Sequence, residues 1–395
     1  MTEENDVAQR FVPRIREELD KLPLTESQKQ AALPSILSNV RFLDTGNNKY
    51  SSDNLPSDSG FFDFASKLQE VATHFENDGL TLPQYLQAAL KQPQLFHQSP
   101  ATIAGNIEGL VDRFTKEGLT TRQYLQAAIK QPSLFSRTPT SVAHNIEGVA
   151  ARFAAEGLTT QRYLQAALKA PSLFTQSPAT IADNIMATVD RFTSEGLTTS
   201  QYLQAALKQP QLFYLAPATV AGNITGVVDH FAPEGLTTRR YLQAALKQTS
   251  LFTQKPATIA GHIGIVFDLV NRGIFQPPGL RQSNSGAPHN NPHAAALDFL
   301  LNNPKLLSLA DDNFRLREIH QRLANGPSNS RLLISARHFV ERDLSRHLGH
   351  NDLAQPVPSD GFAAGMASPT EQQAKRFLLR ALMHAGYIKG GSMER

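Results

Sequence analysis

The chain has 395 residues, a formal net charge of +3 and no cysteine. Without cysteine there is no disulfide scaffold, thiol catalysis or thiolate metal site, so stability must come from packing. No stretch approaches the roughly 18 apolar residues that span a bilayer, and the polar N-terminus lacks the apolar segment of a cleaved secretory signal. We therefore predict a soluble protein, cytoplasmic in the producing cell, that does not contact a membrane.

Residues 1–59 form an acidic segment that we predict to be partly disordered or helical. Residues 1–78 carry 14 Asp or Glu against 8 Lys or Arg, a net of −6, which leaves +9 for the rest of the chain. The repeats that follow sum to only +5, which is modest beside the basic stripe typical of dedicated nucleic-acid binders. Residues 64–79 are predicted to be the second helix of a degenerate leading repeat.

A segment of 39 residues recurs five times between Gly79 and Arg272 without an insertion. The repeats begin at Gly79, Gly118, Gly157, Gly196 and Gly235. A fixed period is typical of repeat architectures, in which short helices bury their apolar faces only against neighbouring repeats. So strict a period also indicates recent duplication.

The first repeat illustrates the local pattern. Gly79 suits the left-handed residue that ends a helix, and Thr81 suits the N-cap of the next helix, with glutamine three residues later as a capping box. Apolar residues then recur at helical spacing until Pro93 stops the helix. Ser99 and Pro100 predict the start of a second helix. Each repeat is therefore predicted to be helix, short turn, helix.

We predict an all-α solenoid of helix-turn-helix repeats over residues 60–275, with degenerate ends and a small helical C-terminal region. A Ser/Asn/Gly/Pro-rich stretch predicts a flexible linker at 276–294. Beyond it we predict helices within 295–350, where residues 301–313 look like a diverged copy of the repeat. The prediction ends with two segments, a linker at 351–367 and an amphipathic helix at 368–389.

The first helix, the Lys-x-Pro-x-Leu-Phe step and the Ser-Pro start of the second helix resemble the repeat of the mitochondrial transcription termination factor family. In the first repeat the matching residues are Pro93, Leu95, Phe96, Ser99 and Pro100. That family folds as a curved all-α solenoid that binds nucleic acid along its concave face, so the resemblance implies a double-stranded DNA or RNA partner. The period here is longer than is typical of the family, and the repeats are more alike. Near-identical repeats are also similar, by analogy, to transcription activator-like effectors.

Polar residues recur on the side of the first helix that lies opposite its apolar residues. They are Lys91, Lys130, Lys169, Lys208 and Lys247, together with Gln87, Gln126, Gln165, Gln204 and Gln243. Arg162 and Arg240 share this side. Lysine charges and amide or guanidinium donors suit a phosphate backbone, so we predict that these residues contact nucleic acid. Duplication of a solvated helix face, with lysine favoured near the helix C-terminus, would produce the same pattern.

A few positions differ between repeats and could recognise a partner one repeat at a time. The candidates are Arg122 and Arg239 in the first helix, and His144 and Asp183 in the second. The two residues that precede the start of the second helix vary as well. Relaxed drift at surface positions would give the same variation. The asparagines that recur in the second helices are predicted to form hydrogen bonds between repeats.

The sequence has no Gly-rich phosphate loop, nucleophile elbow or helical His-Glu-x-x-His, so we predict no enzyme activity, cofactor or small-molecule substrate. His289 and His293 have the spacing closest to a metal site but lack a third ligand nearby, so no metal is predicted.

We predict a non-enzymatic protein that binds DNA or RNA. Cysteine absence, recent duplication and the family analogy lead us to predict a bacterial effector, secreted into a host cell and acting in its nucleus. The alternative is a protein-interaction scaffold that uses the concave face of the solenoid.

Overall fold

The computed structural model describes residues 3–44, 63–96, 98–271 and 291–302, together with residues 304, 307 and 308. Over these ranges the chain forms α-helices and short 3-10 turns and contains no strand. The prediction of an all-α fold built from helical repeats is confirmed. The segments predicted at 351–367 and 368–389, and the part of 295–350 beyond residue 308, lie outside the described residues.

Each 39-residue repeat contributes two helices joined by a turn that contains the Leu-Phe step. The first helices are α4 (Leu82–Lys91), α6 (Thr121–Lys130), α8 (Thr160–Lys169), α10 (Thr199–Lys208) and α12 (Thr238–Lys247). The second helices are α5 (Pro100–Arg113), α7 (Pro139–Arg152), α9 (Pro178–Phe192), α11 (Pro217–His230) and α13 (Pro256–Asn271). The ends of the described array contain α1 (Glu3–Asp20), α2 (Glu26–Asp44), α3 (Phe64–His74) and α14 (Pro292–Asn302).

The glycine that opens each repeat is in the left-handed conformation, with φ between 84° and 89° in all five. Other L-residues rarely adopt this conformation, so glycine is suited to end the preceding helix. The predicted capping boxes follow it and are confirmed in the first, second and fourth repeats. In each, the threonine backbone N–H donates to the side chain of the glutamine three residues later, at 3.0–3.1 Å.

The turn between α6 and α7 lies within the second repeat and is also contacted by side chains of the first repeat. The ring of Tyr85 in the preceding repeat meets the Phe135 ring edge-on, with centroids 5.1 Å apart. The Asn106 amide, also in the preceding repeat, donates to the Phe135 carbonyl at 3.4 Å. The Tyr124 hydroxyl, which belongs to the same repeat as the turn, donates to the Leu134 carbonyl at 3.1 Å. The invariant Leu-Phe step is therefore a structural contact for both repeats.

The same arrangement recurs at the turn before α13. Tyr202 meets Phe252 edge-on with centroids 5.9 Å apart, and the Asn223 amide donates to the Phe252 carbonyl at 3.0 Å. This repeat has Thr249 where the others have proline, yet its 3-10 turn forms from Thr249 to Phe252. The predicted hydrogen bonds of the repeated asparagines between repeats are confirmed at these turns.

Three pairs of successive second helices, α5 with α7, α7 with α9 and α11 with α13, approach each other through a glycine; the equivalent residue of α9 is Ala187. A Cβ atom built on Gly148 would lie 2.6 Å from Cγ of Pro178, and one built on Gly226 would lie 2.8 Å from Cγ of Pro256. Both distances are shorter than a carbon–carbon contact allows, so a larger residue would push the helices apart. Glycine therefore permits the close packing of the second helices.

The chain divides into two compact bodies, Met1–Asp183 and Asn184–Arg395, with the boundary inside α9. In the N-terminal body α2, α4, α6 and α8 contact one another in succession, as do α3, α5 and α7. In the C-terminal body α10, α12 and α14 do so, and α11 contacts α13. Each body thus has a first-helix layer and a second-helix layer, with the repeated Tyr, Leu, Ala, Ile and Phe side chains buried between them.

The leading end contains a first helix that the repeat pattern did not reveal. The Thr25 backbone N–H donates to the Gln28 side chain at 2.9 Å, the same cap that the repeats use, and α2 contacts α4. α1 packs on α2 and α3. Its Glu18 side chain is buried, pairs with Lys21 and accepts the Ala65 backbone N–H at 3.1 Å. Glu18 therefore caps α3 from a neighbouring helix.

The trailing end continues the array with α14, which begins at Pro292, inside the linker predicted at 276–294. His262 replaces the repeated asparagine, and its Nδ1 atom lies 2.7 Å from the Leu307 carbonyl oxygen. That contact corresponds to the bond from each asparagine to the next Leu-Phe step. It supports the likeness of residues 301–313 to a repeat.

Candidate nucleic-acid interface

The first helices carry ten exposed polar residues on the outer side of their layer. They are Lys91, Lys130, Lys169, Lys208 and Lys247, with Gln87, Gln126, Gln165, Gln204 and Gln243, and all ten are exposed. We call this set the basic ridge. It follows α4, α6 and α8 in the N-terminal body and α10 and α12 in the C-terminal body.

Helix geometry explains why the basic ridge is exposed. In α4, Tyr85, Leu86 and Ala89 are buried, whereas Gln87 and Lys91 lie on the opposite side and one turn apart. Each lysine is the last residue of its helix, where a positive charge is favoured by the helix dipole. The ridge therefore combines exposure with a position that stabilises the helix.

Arg162 and Arg240, which the sequence placed with the ridge, are tied to their own repeats. The Arg162 guanidinium donates to the Gly157 carbonyl at 2.8 Å, and Arg240 donates to the Gly235 carbonyl at 2.8 Å. Arg240 also forms an ion pair with Asp298 of α14. These contacts give the two arginines a structural role at the helix start, and Asp298 offsets the charge of Arg240.

Charge is segregated between the two layers. The first helices α4, α6, α8, α10 and α12 contain five lysines and four arginines and no Asp or Glu, a net of +9. The second helices α5, α7, α9 and α11 contain six Asp or Glu and three arginines, a net of −3. The low total charge of the repeats thus conceals a first-helix layer that is basic in both bodies.

Two basic residues of the second-helix layer, Arg113 and His74, are paired with acids of the neighbouring repeat. The Arg113 guanidinium donates through Nε and Nη2 to the two Glu147 carboxylate oxygens, both at 2.9 Å. This carboxylate raises the pKa of the exposed Arg113. His74 Nε2 lies 2.7 Å from a Glu108 carboxylate oxygen. These pairs reduce the attraction of the second-helix layer for an anion.

The structure separates the variable candidates into two groups. Arg122 and Arg239 are exposed near the starts of α6 and α12, in the layer that holds the basic ridge. His144 and Asp183 are exposed on the second helices α7 and α9. In the N-terminal body a ligand on the basic ridge would therefore lie on the side of Arg122, with the core between it and His144 and Asp183. In the C-terminal body a ligand on the ridge would lie on the side of Arg239.

The variable pairs before the second helices α7, α9, α11 and α13 are half-buried and take part in the fold. Ser136 donates its hydroxyl to the Ser133 carbonyl at 3.0 Å, and Thr253 does the same to the Ser250 carbonyl at 3.0 Å. The Gln254 amide donates to the Ser308 carbonyl at 3.3 Å. These contacts stabilise the turn or the next repeat, which argues against partner recognition at these pairs.

A groove between α10 and α12 had no counterpart in the sequence predictions. Its volume is about 240 Å³. The lining residues are Glu195, Gly196, Leu197, Gln201, Arg239, Leu242, Gln243 and Leu246. Two of them, Arg239 and Gln243, are residues that the sequence predicted for binding. No sequence motif marks the groove, because its walls come from two repeats.

Among the described residues there is no group of three or more metal-ligating side chains. His293 stacks on the Phe267 ring with centroids 4.3 Å apart, and its Nε2 atom lies 2.8 Å from Asn271 Oδ1. Both contacts hold α14 against α13. His289 lies outside the described residues. No helix in the described part of the chain is long and apolar enough to cross a membrane.

The sequence matches no protein-family model and no curated protein. The functional argument therefore rests on the geometry and charge of this chain.

Proposed function

We propose that this protein binds nucleic acid through the basic ridge, without catalysis. The observation that carries the proposal is the charge segregation: nine basic and no acidic residues on the first helices. A layer of one sign attracts a polyanion over distances of about 10 Å at moderate salt. The resemblance to the mitochondrial transcription termination factor repeat agrees with this partner class.

The chemistry of the ridge suits phosphate groups. Each exposed lysine offers a point charge, and the glutamine one turn earlier offers amide donors on the same side. Such contacts position a nucleic acid without reading its sequence. We expect binding that depends strongly on salt and weakly on sequence.

Copying of a solvated face by duplication remains the competing account of the ridge. It explains the invariant glutamines and lysines. At first-helix positions that differ between repeats, however, the charged residues are all arginines and none is acidic; they are Arg122, Arg162, Arg239 and Arg240. A protein partner remains the alternative function. Secretion into a host cell and action in its nucleus stay predictions.

The test is a gel-shift and anisotropy titration of the full chain with random DNA and RNA. The ridge variant changes Lys91, Lys130, Lys169, Lys208 and Lys247 to alanine. The matched control changes five exposed cations outside the first helices, Arg113, Lys116, Arg152, Arg191 and Lys255, to alanine. Both variants lose five charges, so a difference between them reports position and not net charge.

We expect the ridge variant to lose affinity and the control to retain most of it. On duplex DNA each neutralised phosphate contributes about 0.9 to the steepness of log affinity against log salt, and on a single strand about 0.7, so losing five contacts lowers the steepness by about 4.5 or 3.5. For the wild type on duplex DNA, these five contacts would make binding at 50 mM salt roughly 500-fold tighter than binding at 200 mM salt. Equal effects of the two variants, or no binding by the wild type at low salt, would contradict the proposal.

A further inference from the structure

The groove between α10 and α12 has an apolar floor and a polar mouth. Leu197 and Leu242 are buried and Leu246 is half-buried, whereas Gln201, Arg239 and Gln243 are exposed. Gln243 belongs to the basic ridge, and Lys247 lies one turn further along the same helix. A ligand held at the mouth of the groove is therefore within reach of the residues proposed to bind phosphate.

The size of the groove limits its occupant to a single small group. Its volume of about 240 Å³ lies below the range of about 300–1,000 Å³ typical of pockets for drug-sized molecules. An apolar floor favours the face of a flat ring, and amide or guanidinium groups at the mouth favour its hydrogen-bonding edge. A nucleobase that has left a base stack has both features.

The N-terminal body contains the equivalent positions between its own first helices. For the α4–α6 pair they are Asp78, Gly79, Leu80, Gln84, Arg122, Leu125, Gln126 and Ile129. Arg122 Nε lies 4.0 Å from the position of a Cβ atom on Gly79, so Arg122 stands beside its neighbour's opening glycine as Arg239 stands beside Gly196. At the α6–α8 pair the corresponding residue is Gln161.

Variation in this lining is concentrated at one position. The acidic residue, the glycine, both glutamines and the leucine floor recur, with Asp78 and Ile129 as conservative changes. The position of Arg239 is Arg122 in α6 and Gln161 in α8. Arginine pairs through two hydrogen bonds with the O6 and N7 atoms of guanine, and glutamine does so with the N6 and N7 atoms of adenine. The residue that differs is thus of a type that distinguishes bases.

We propose that the ligand of the ridge is a single-stranded nucleic acid, with a base inserted between successive first helices and read by the residue at Arg122, Gln161 or Arg239. This rests on the proposed function and narrows it. The ridge lysines contact phosphates, the leucine floor contacts the face of the base, and the variable residue contacts its edge. Duplex DNA and RNA cannot enter in this way, because their bases are paired and stacked.

The charge of the layer favours nucleic acid over a peptide as the occupant. A peptide with an arginine side chain would find one carboxylate at the groove, Glu195, but it would also meet Arg239. The other basic residues of α10 and α12 are Lys208, Arg240 and Lys247. The hydrogen bond from Arg239 to the Ser194 carbonyl is long, at 3.4 Å, so it holds the guanidinium only weakly in place. It can turn toward a ligand at little cost.

The test measures anisotropy of the full chain with labelled single strands of about 12 nucleotides. One probe is a run of adenines and the other carries guanines, each made as RNA and as DNA, with the matching duplexes. The test variants are the doubles Arg122→Gln with Arg239→Gln, and Arg122→Lys with Arg239→Lys. The control is Arg113→Gln with Arg191→Gln, which removes two charges from the second-helix layer. Circular dichroism melting checks the fold of each variant.

We expect the wild type to bind single strands more tightly than duplexes and to prefer guanine-containing probes. The lysine double keeps the charge, so it retains its affinity for the adenine run and loses about tenfold for the guanine probes. The glutamine double loses the guanine preference and gains relative affinity for adenine. The RNA and DNA arms show which sugar the site accepts.

Several results would overturn the inference while leaving the ridge function intact. They are duplex binding as tight as single-strand binding, and equal losses on every probe in the lysine double. Binding of an arginine-rich peptide that Glu195→Gln abolishes, with no binding of any single strand, would replace it with a protein partner. Failure of all probes at low salt would instead remove the proposed function itself.

Discussion

The two helical layers differ in their roles: the second helices hold neighbouring repeats together, and the first helices carry the basic ridge. The second-helix layer is held by close contacts between repeats, namely glycine against proline, asparagine against carbonyl, and arginine against glutamate. The outer side of the first-helix layer makes few such contacts and carries the basic ridge. Since the second helices and the turns fix the stack, the outer side of the first helices is free to carry a repeated surface chemistry. Substitutions that affect one layer at a time test this difference between the layers.

The largest effect is expected from high pH, which acts on the inner side of the first helices. Tyr85, Tyr124, Tyr163, Tyr202 and Tyr241 are buried, and burial raises the pKa of each well above its usual 10. Below pH 10 the tyrosines are protonated in both the folded and the unfolded chain, so the folded chain keeps its full free energy of unfolding. Above pH 10 the unfolded chain loses tyrosine protons that the folded chain keeps, so the free energy of unfolding falls by about 1.4 kcal/mol per pH unit for each tyrosine.

For five tyrosines the slope reaches about 7 kcal/mol per pH unit, so we expect cooperative unfolding soon above pH 10. Absorbance at 295 nm and circular dichroism, followed together, measure it. Both signals should change in one transition, and Tyr124→Phe should reduce the slope by about one fifth. The chain has eight tyrosines, so ionisation of more than three of them in a chain that keeps its helical signal would contradict the burial that we describe.

A smaller effect is expected from one added methyl group in the second-helix layer. Gly226→Ala would place a Cβ 2.8 Å from Pro256, and such overpacking lowers the free energy of unfolding by about 1–3 kcal/mol. Gly222→Ala in the same helix meets nothing within 4 Å and should raise stability by up to about 1 kcal/mol, because alanine favours the helix. Urea unfolding of the two variants measures both. A change of the same sign in the free energy of unfolding of both variants would contradict the close packing of Gly226 against Pro256.

The smallest effect is expected from surface charges in either layer. The exposed pair Arg113 and Glu147 should contribute about 0.2–1 kcal/mol in a double-mutant cycle, because solvent and salt screen it. Lys169→Ala on the basic ridge should change the free energy of unfolding by less than about 0.5 kcal/mol. If Lys169→Ala destabilised the chain by several times this amount, the ridge would be a structural feature and its proposed role in binding would lose support.

Local features of the fold could be predicted from the sequence because they depend on residues close in the chain. The opening glycines, the threonine caps and the Ser-Pro helix starts each act within one turn of backbone. The bonds of the asparagines were predictable from their repetition alone. The first helix α2 was missed, although Thr25 and Gln28 repeat the capping box, because its later residues diverge from the repeat.

The candidate site was less accessible to sequence reasoning. The net charge of a repeat adds both layers together, so the basic first helices were hidden by Asp and Glu on the second. The groove was missed because Glu195 and Arg239 are 44 positions apart in the chain and meet only after two repeats stack. The variable turn pairs looked like exposed loops, but both Ser136 and Gln254 are half-buried. Ser136 bonds within its own turn, and Gln254 bonds to Ser308, which lies beyond its repeat.

The contacts of Tyr85 and Asn106 with the following Leu-Phe step have a consequence for how such a chain evolves. Within each body a repeat supplies a ring and an amide that contact the next repeat, and all five repeats have the Leu-Phe step that receives them. A recombination event that removes or adds one whole 39-residue segment therefore joins a supplier to an equivalent receiver. The length of the array, and with it the span of any ligand it covers, can change in single genetic steps without the invention of a new interface.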